Sequence, residues 1–229
     1  MTLGAQDEMK RRAAERAVVE VESGMVVGLG TGTTAAFALE ALGRRVAEGL
    51  KIIGIPTSER TAAAARRLGI PLASLAEHRR IDLTIDGADQ VERGTLNLVK
   101  GLGGALLREK IVASASDRMI VIADRSKLVT RLGALTPLPV ELVPFGAPVA
   151  LDRLATLGAK PRLRQDGAGP FVTDGGNYIA DCAFGEIADA AALAAALAAI
   201  VGVVESGFFI GLADQAMIGG PDGVEVIDA

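Results

Sequence analysis

The feature that most restricts this chain is an alternation, repeated from residue 25 to residue 123, of short apolar runs with helix-like segments. Residues 6–22 read as a helix, stopped by Ser23-Gly24. Met25 to Gly30 is an apolar strand, and residues 34–48 form the next helix. Lys51 to Ile55 is a second strand, Glu59 to Leu68 a helix stopped by Gly69, and Ile70 to Ala73 a short strand. Ile81 to Ile85 is a further strand, Gly104 to Ser116 a helix and Met119 to Ala123 a strand. Strands that read as nearly continuous apolar runs are buried on both sides. The pattern therefore predicts an α/β fold, an open parallel sheet with helices on both faces.

Near Leu135 the texture changes. Pro137, Pro139, Pro144 and Pro148 cluster around the β-like run VELVPF, followed by a helix-like stretch from Val149 to Leu157 and a strand from Pro161 to Gln165. PFVTDGGNYIADCAF reads as a hairpin turning at Asp174-Gly175-Gly176-Asn177, and Asp189 to Ile200 as an alanine-rich helix. Residues 137–204 are thus expected to form a small α+β domain, with 1–136 the main domain. The β-like runs of the tail, 205–229, are expected to return to the main sheet.

Composition narrows the function. A net charge of −4 and 3% aromatic residues argue against nucleic acid, which needs basic surface or aromatic faces for stacking. One Cys, Cys182, allows no internal disulfide, as expected in a reducing compartment. One His, His78, rules out a His-rich metal site and leaves any proton transfer to carboxylates and lysines. The N-terminus reads as an amphipathic helix rather than a signal peptide. The longest apolar run, Ala190 to Val204, is too short and alanine-rich to span a bilayer. A soluble, cytoplasmic protein with no membrane partner is expected.

Between Ile81 and Lys110 the chain sets three notable acids and a lysine among a run of bare backbone amides: Asp86 and Asp89 in IDGAD, Lys100 before Gly101, Gly103 and Gly104, then Glu109. Asp-Gly is a common turn pair, which would explain Asp86 alone. Two acids at the end of a buried strand favour a site, because an uncompensated buried carboxylate is costly. Arg outnumbers Lys 18 to 6, so a lysine entering a glycine cluster is not this chain's default cation. With the adjacent amides it can hold developing oxyanion charge. Arg108 and Lys110 read as a solvated helix face; for Glu109 the residues alone do not decide.

GLGTGTT, Gly28 to Thr34, lacks the third glycine of the dinucleotide fingerprint, since residue 33 is Thr, and the Walker pattern is absent. Hydroxyls and free N–H groups at a helix start suit a phosphate, and an ordinary N-cap explains the same residues equally well. Ser58 in PTSERT is as readily a cap as a ligand contact. Lys127 in ADRSK follows another strand. In an open parallel sheet these strand ends share one rim. The parts are those for moving a proton beside a carbonyl in a phosphorylated small molecule.

GLGTGTTA, PTSERT, DLTIDGADQVE, LVKGLGGALLREKI and IADRSKLV, in this order and spacing, resemble ribose-5-phosphate isomerase of type A. The likeness continues through LPVELVPF, VTDGGNYIADC and GLADQAMIGGPDGV, and so covers nearly the whole chain. The resemblance implies a Rossmann-like main domain, a small ferredoxin-like α+β lid, and a homodimer or homotetramer. It implies interconversion of D-ribose 5-phosphate and D-ribulose 5-phosphate through a cis-enediol, with neither metal nor organic cofactor. By position, Glu109 would shuttle the proton. Asp86 and Asp89 would bind sugar hydroxyls and assist ring opening. Lys100 and the following amides would hold the enediolate. Thr31, Gly32, Thr33, Thr34, Gly87, Ala88, Gly101, Leu102, Gly103 and Lys127 fall on substrate-binding positions, with Lys10 reaching the phosphate from the first helix. Leu102 stands where the family usually has glycine, which implies a stiffer loop.

Three other readings fit less well. A deaminase or isomerase for amino-sugar phosphates tends to need a site histidine, and His78 is poorly placed. A CoA-transferase-like protein needs a larger acyl-CoA site. A sugar-phosphate sensor needs a DNA-binding segment that the 24 residues before the first strand cannot hold.

Overall fold

The computed structural model describes residues 4–167 and 169–229; residues 1–3 of the expected main domain, and Ala168, lie outside the described residues. In chain order the first half holds α1 (Ala5–Val18), β1 (Val26–Leu29), α2 (Thr33–Ala47), β2 (Ile53–Pro56), α3 (Glu59–Arg67) and β3 (Leu83–Gly87). Next come β4 (Gln90–Glu92), β5 (Leu98–Val99), α4 (Leu106–Ser114), β6 (Met119–Asp124) and β7 (Leu128–Val129). The second half holds β8 (Leu138–Leu142), α5 (Ala147–Thr156), β9 (Lys160–Leu163), β10 (Gln165–Asp166), β11 (Gly169–Pro170), β12 (Tyr178–Ala183) and α6 (Ala190–Ala198). It ends with β13 (Val203–Ser206), β14 (Phe208–Phe209), β15 (Gln215–Gly220) and β16 (Gly223–Asp228).

The main sheet has the order β16-β15-β6-β3-β1-β2, parallel throughout except for the antiparallel edge strand β16. Its central strands β1, β3 and β6 are sealed on both sides, as their nearly uninterrupted apolar runs require. Along β6, Ile120 and Ile122 pack with α1 and α2 on one face. Met119, Val121 and Ala123 pack with Phe209 on the other. The expected tail strands do return, as β15 and β16. From β1 the chain goes outward to β2 and then crosses to β3 on the opposite side, so the β1–β3 boundary is where the winding reverses. Ligands of such sheets sit at the carboxyl ends of the strands at that boundary.

A second sheet, β13-β8-β12-β9, is antiparallel and carries α5 and α6, in the chain order β8-α5-β9-β12-α6-β13 expected of a ferredoxin-like unit. Its last strand runs to Ser206, two residues past the expected boundary at 204. The expected hairpin at Asp174–Asn177 shrinks to a single bridge, Val172 to Tyr178. The reason is that β12 pairs with β8 and β9 instead, while Asp174 caps α3 by accepting from the Glu59 N–H at 2.8 Å. The expected strand at Ile70–Ala73 is likewise one bridge, between Leu72 and Gly54.

Residues 88–100, which read as a turn-rich connection, contain a hairpin. β4 and β5 pair antiparallel, and with β7 and β14 they form a third small sheet, β14-β5-β4-β7. Strands of three and two residues carry too little pattern to be seen as periodicity. The consequence is functional, because the hairpin folds Lys100 back onto the end of β3.

Candidate active site

The site forms where β1 and β3 end. Near the end of β3, the carboxylate of Asp86 turns back beneath the loop that follows β1. Its Oδ1 accepts from the Thr31 N–H at 3.0 Å and the Gly87 N–H at 2.7 Å. This approach requires Gly30: a Cβ there would lie 2.6 Å from the Asp86 Cα and 2.2 Å from its Oδ1. Asp86 is fully buried. It forms the floor under the cleft and does not line it, so the structure places it to hold other groups rather than to meet a ligand directly.

Lys100 stands on that floor. Its backbone is pinned by its own N–H donating to the Gly207 carbonyl at 2.8 Å. The ammonium lies 3.0 Å from Asp86 Oδ2 and 3.4 Å from Glu109 Oε1, and donates to the Gly87 carbonyl at 2.5 Å. Phe209 lies 5.4 Å from it on another side. Glu109 comes from the first turn of α4 and is buried, and its second oxygen, Oε2, has no hydrogen-bond partner in the structure. A bare buried carboxylate oxygen is costly in a packed protein, and such atoms concentrate where chemistry is done.

The electrostatics follow from this crowding. Burial on its own would push Lys100 down, but Asp86, Glu109 and Asp89 together hold its ammonium above the ordinary lysine range. Burial raises Glu109 from 4.5 to about 8; Lys100 pulls the other way, while Asp86 and Asp89 add to the rise. Burial also raises Asp86, against Lys100 and its two N–H donors. Two carboxyls share one ammonium, and only one has backbone donors and the shorter ion pair. Asp86 therefore keeps the charge, and Glu109 is the member that gains and loses a proton near neutral pH.

The cleft above is lined by Thr31, Gly32, Thr33, Thr34, Gly87, Ala88, Asp89, Lys100, Gly101, Gly103, Glu109 and Lys127. At one end, α2 starts at Thr33 behind Gly32 with no side-chain cap, so its first N–H groups remain open to an anion. Lys127, in the short turn after β6, stands at the same cleft. Thr31 differs from its neighbours: its hydroxyl bonds those of Thr57, Ser58 and Thr61 at 2.7 to 2.9 Å, tying the β1 and β2 loops together. Ser58 also caps α3 through the Thr61 N–H.

Leu102 does not line the cleft. Its side chain is 42% exposed, and its N–H donates to Asp89 Oδ2 at 2.9 Å. Its φ lies outside the left-handed region, unlike Gly101 and Gly104, so a leucine costs this loop no backbone strain. Lys10 is not among the residues lining the cleft and pairs with Asp7 on α1 at 3.4 Å. His78 is a loop residue whose N–H closes the Ser74 turn.

Sequence reasoning missed Arg164. From the end of β9 it donates to the carbonyls of Gly101 and Leu102 at 2.9 and 3.1 Å, and it pairs with Asp181. One arginine among many gives no local signal; only the folded pairing of the two units brings it to the glycine loop. Two roomier clefts, of about 350 and 630 Å³, lie along the β15–β16 turn and beside α1. Neither gathers a buried acid or lysine, so chemistry rather than volume locates the site. Among the described residues no group of three His, Cys, Asp or Glu is arranged to hold a metal, and no helix is long and apolar enough to cross a membrane.

Residues 53–223 match the family model described as ribose 5-phosphate isomerase A (phosphoriboisomerase A). The chain is 55% identical over 227 residues to ribose-5-phosphate isomerase A of Synechococcus sp. (strain JA-3-3Ab), covering 98% of this chain and 99% of that one. It is 57% identical over 221 residues to the Gloeobacter violaceus protein of the same name, covering 96% of each. Among solved structures it is similar to ribose 5-phosphate isomerase A from Methanocaldococcus jannaschii, at a TM-score of 0.94 and 40% identity, covering 97% of this chain and 99% of that one. It is also similar to a D-ribose-5-phosphate isomerase in complex with phospho-erythronic acid, at a TM-score of 0.95 and 38% identity, covering 98% and 99%.

Proposed function

The chain belongs to the ribose 5-phosphate isomerase A family, and on that premise we propose that Glu109 carries a proton between C1 and C2 as ribose 5-phosphate and ribulose 5-phosphate interconvert through a cis-enediol. The observation that carries this reading is the bare buried Oε2 of Glu109 beside an ammonium that faces its other oxygen. A carboxylate raised to about 8 is a stronger base than a solvated one, and can return the proton readily.

In the aldose-to-ketose direction Glu109 takes the proton from C2. The C2–H electron pair forms the C1=C2 double bond, and the C1 carbonyl electrons move onto O1. Lys100 and the N–H groups of the glycine loop face that oxygen and stabilise its charge. The O2 proton passes to O1, C2=O forms, and Glu109 returns its proton to C1. Asp89, at the cleft surface, is the carboxylate that meets sugar hydroxyls and assists ring opening. Asp86 acts from below by fixing Lys100. The phosphate lies at the start of α2, against Thr33, Thr34 and Lys127. No step calls for a metal or an organic cofactor. The unit of β8–β13 acts as a lid, a role supported by the reach of Arg164 and Asp174 to residues of the main unit. A homodimer or homotetramer in the cytoplasm, serving non-oxidative pentose phosphate interconversion, fits the resemblance.

The test is ketose formation from ribose 5-phosphate by the purified protein, with and without excess EDTA. Rapid, chelator-insensitive turnover is expected. Loss of activity in EDTA would overturn the metal-free mechanism, and absence of turnover would overturn the substrate.

A further inference from the structure

We propose that Arg164 is a positioning residue that selects which way one peptide of the glycine loop faces, and thereby whether the Gly103 N–H points into the cleft. The inference rests on the isomerase reading above and extends it to a residue of the other unit. Residues 101–104 form a β-turn, closed by the Gly104 N–H donating to the Gly101 carbonyl at 3.0 Å. Its central peptide joins Leu102 to Gly103. In any β-turn that peptide can lie in two orientations, corresponding to types I and II, which differ mainly by its rotation through half a circle. Type II needs a left-handed φ at the third residue, which here is glycine and so admits both forms. Gly103 is not left-handed in this structure.

Arg164 decides between the two. Its Nη1 holds the Leu102 carbonyl at 3.1 Å and the Gly101 carbonyl at 2.9 Å. In a trans peptide the N–H points opposite to the C=O. Pulling the Gly101 carbonyl toward Arg164 sends the Leu102 N–H the other way, where it meets Asp89 Oδ2 at 2.9 Å. Pulling the Leu102 carbonyl outward likewise sends the Gly103 N–H away from Arg164, toward the cleft that Gly103 lines with Lys100 and Glu109. Flipped, the same peptide would present a carbonyl oxygen to a developing oxyanion. The guanidinium is itself held in place, bonded to both oxygens of Asp181 and lying 5.8 Å from the ring centre of Phe171, which in turn packs over Gly104.

The experiment is a cycle of two substitutions in the full-length protein. Arg164→Gln is expected to lower kcat by up to about 10²–10³-fold, the range for loss of one oxyanion donor, with KM for ribose 5-phosphate changed less than about 3-fold. Gly103→Ala excludes the left-handed φ, and a Cβ there meets nothing closer than 3.6 Å. Against a Gly103→Ala background, Arg164→Gln is therefore expected to cost less than about 3-fold in kcat, because the flipped turn is closed to alanine. An equal loss in both backgrounds would overturn the proposal. If Arg164→Gln does not fold, Arg164→Lys, which keeps a charge for Asp181 but not the forked contact, takes its place in the same cycle. Amide hydrogen exchange separates this proposal from the isomerase reading. Even if the wild-type protein leaves ribose 5-phosphate unchanged, exchange at residues 102–104 is expected to quicken in the arginine variant. Unchanged exchange there would equally overturn the proposal.

Discussion

Glu109→Gln is expected to damage the enzyme and strengthen the fold at the same time, by amounts that the site's geometry sets. The substitution keeps the shape of the side chain and its contact with Lys100, which retains Asp86 and the Gly87 carbonyl. It removes the buried carboxyl oxygen, Oε2, that has no hydrogen-bond partner at the cleft. Loss of a positioned general base lowers kcat by about 10²–10⁴-fold or more. The stability effect has a definite pH window. Glu109 sits higher in the folded protein, at about 8, than its ordinary 4.5, so folding favours its neutral form. That contribution is complete below the unfolded value and is lost as the pH rises through the folded one, an interval worth up to ~5 kcal/mol. Glutamine stays neutral throughout. At pH 5 the two proteins should unfold within about 2 °C of each other, and at pH 9 the variant should melt ~5–15 °C higher. Thermal unfolding across this range, paired with ketose formation on the same samples, checks both halves. Turnover within about 3-fold of wild type would refute Glu109 as the base. A stability difference that does not grow between pH 5 and pH 9 would refute the buried, bare carboxylate as the reason for its raised value.

Gly30→Ala should cost ~1–3 kcal/mol and at least ~10-fold in kcat, since the new methyl displaces Asp86 and with it the anchor of Lys100. Chemical denaturation and steady-state kinetics measure the two, and a wild-type kcat would show that Asp86 does not set Lys100. Leu102→Gly should leave kcat and KM within about 3-fold, because the residue does not line the cleft and its backbone is unstrained. A marked gain in KM-limited rate would instead show that the leucine narrows the entrance.

The parts of the molecule that could be read from the sequence are those whose cause is local. An apolar run followed by Gly and Thr at Gly28–Thr34 is a buried strand entering a helix whatever surrounds it, and Asp86-Gly87 ends β3 for the same reason. Lys100 could be singled out by type and spacing, and its oxyanion role with it, whereas the role of Glu109 came only with the family resemblance. What stayed hidden depends on chain crossings. Asp86 is sealed because Gly30 lets it pass beneath the β1 loop, a contact between residues 56 positions apart that no window of sequence contains. The β4–β5 hairpin is too short to show a period. Arg164 reaches the glycine loop from more than 60 residues away, through strand pairing within its own sheet. Lys10 falls on a ligand position by resemblance, and its partner in the folded chain is Asp7.

The return of the tail to the main sheet also bears on how the protein is made. β6 pairs along its length with β15, Ile120 with Gln215 through Asp124 with Gly219. The first helix packs on that same late strand so closely that a Cβ at Gly219 would lie 1.9 Å from the Met9 carbonyl oxygen. On the ribosome, then, α1 emerges about 200 residues before β15, one of the strands it packs on, whereas the antiparallel sheet of β8–β13 is contiguous and can close before the tail is made. The main sheet therefore cannot be completed until the tail is made, whereas every strand of the β8–β13 sheet is in place before it.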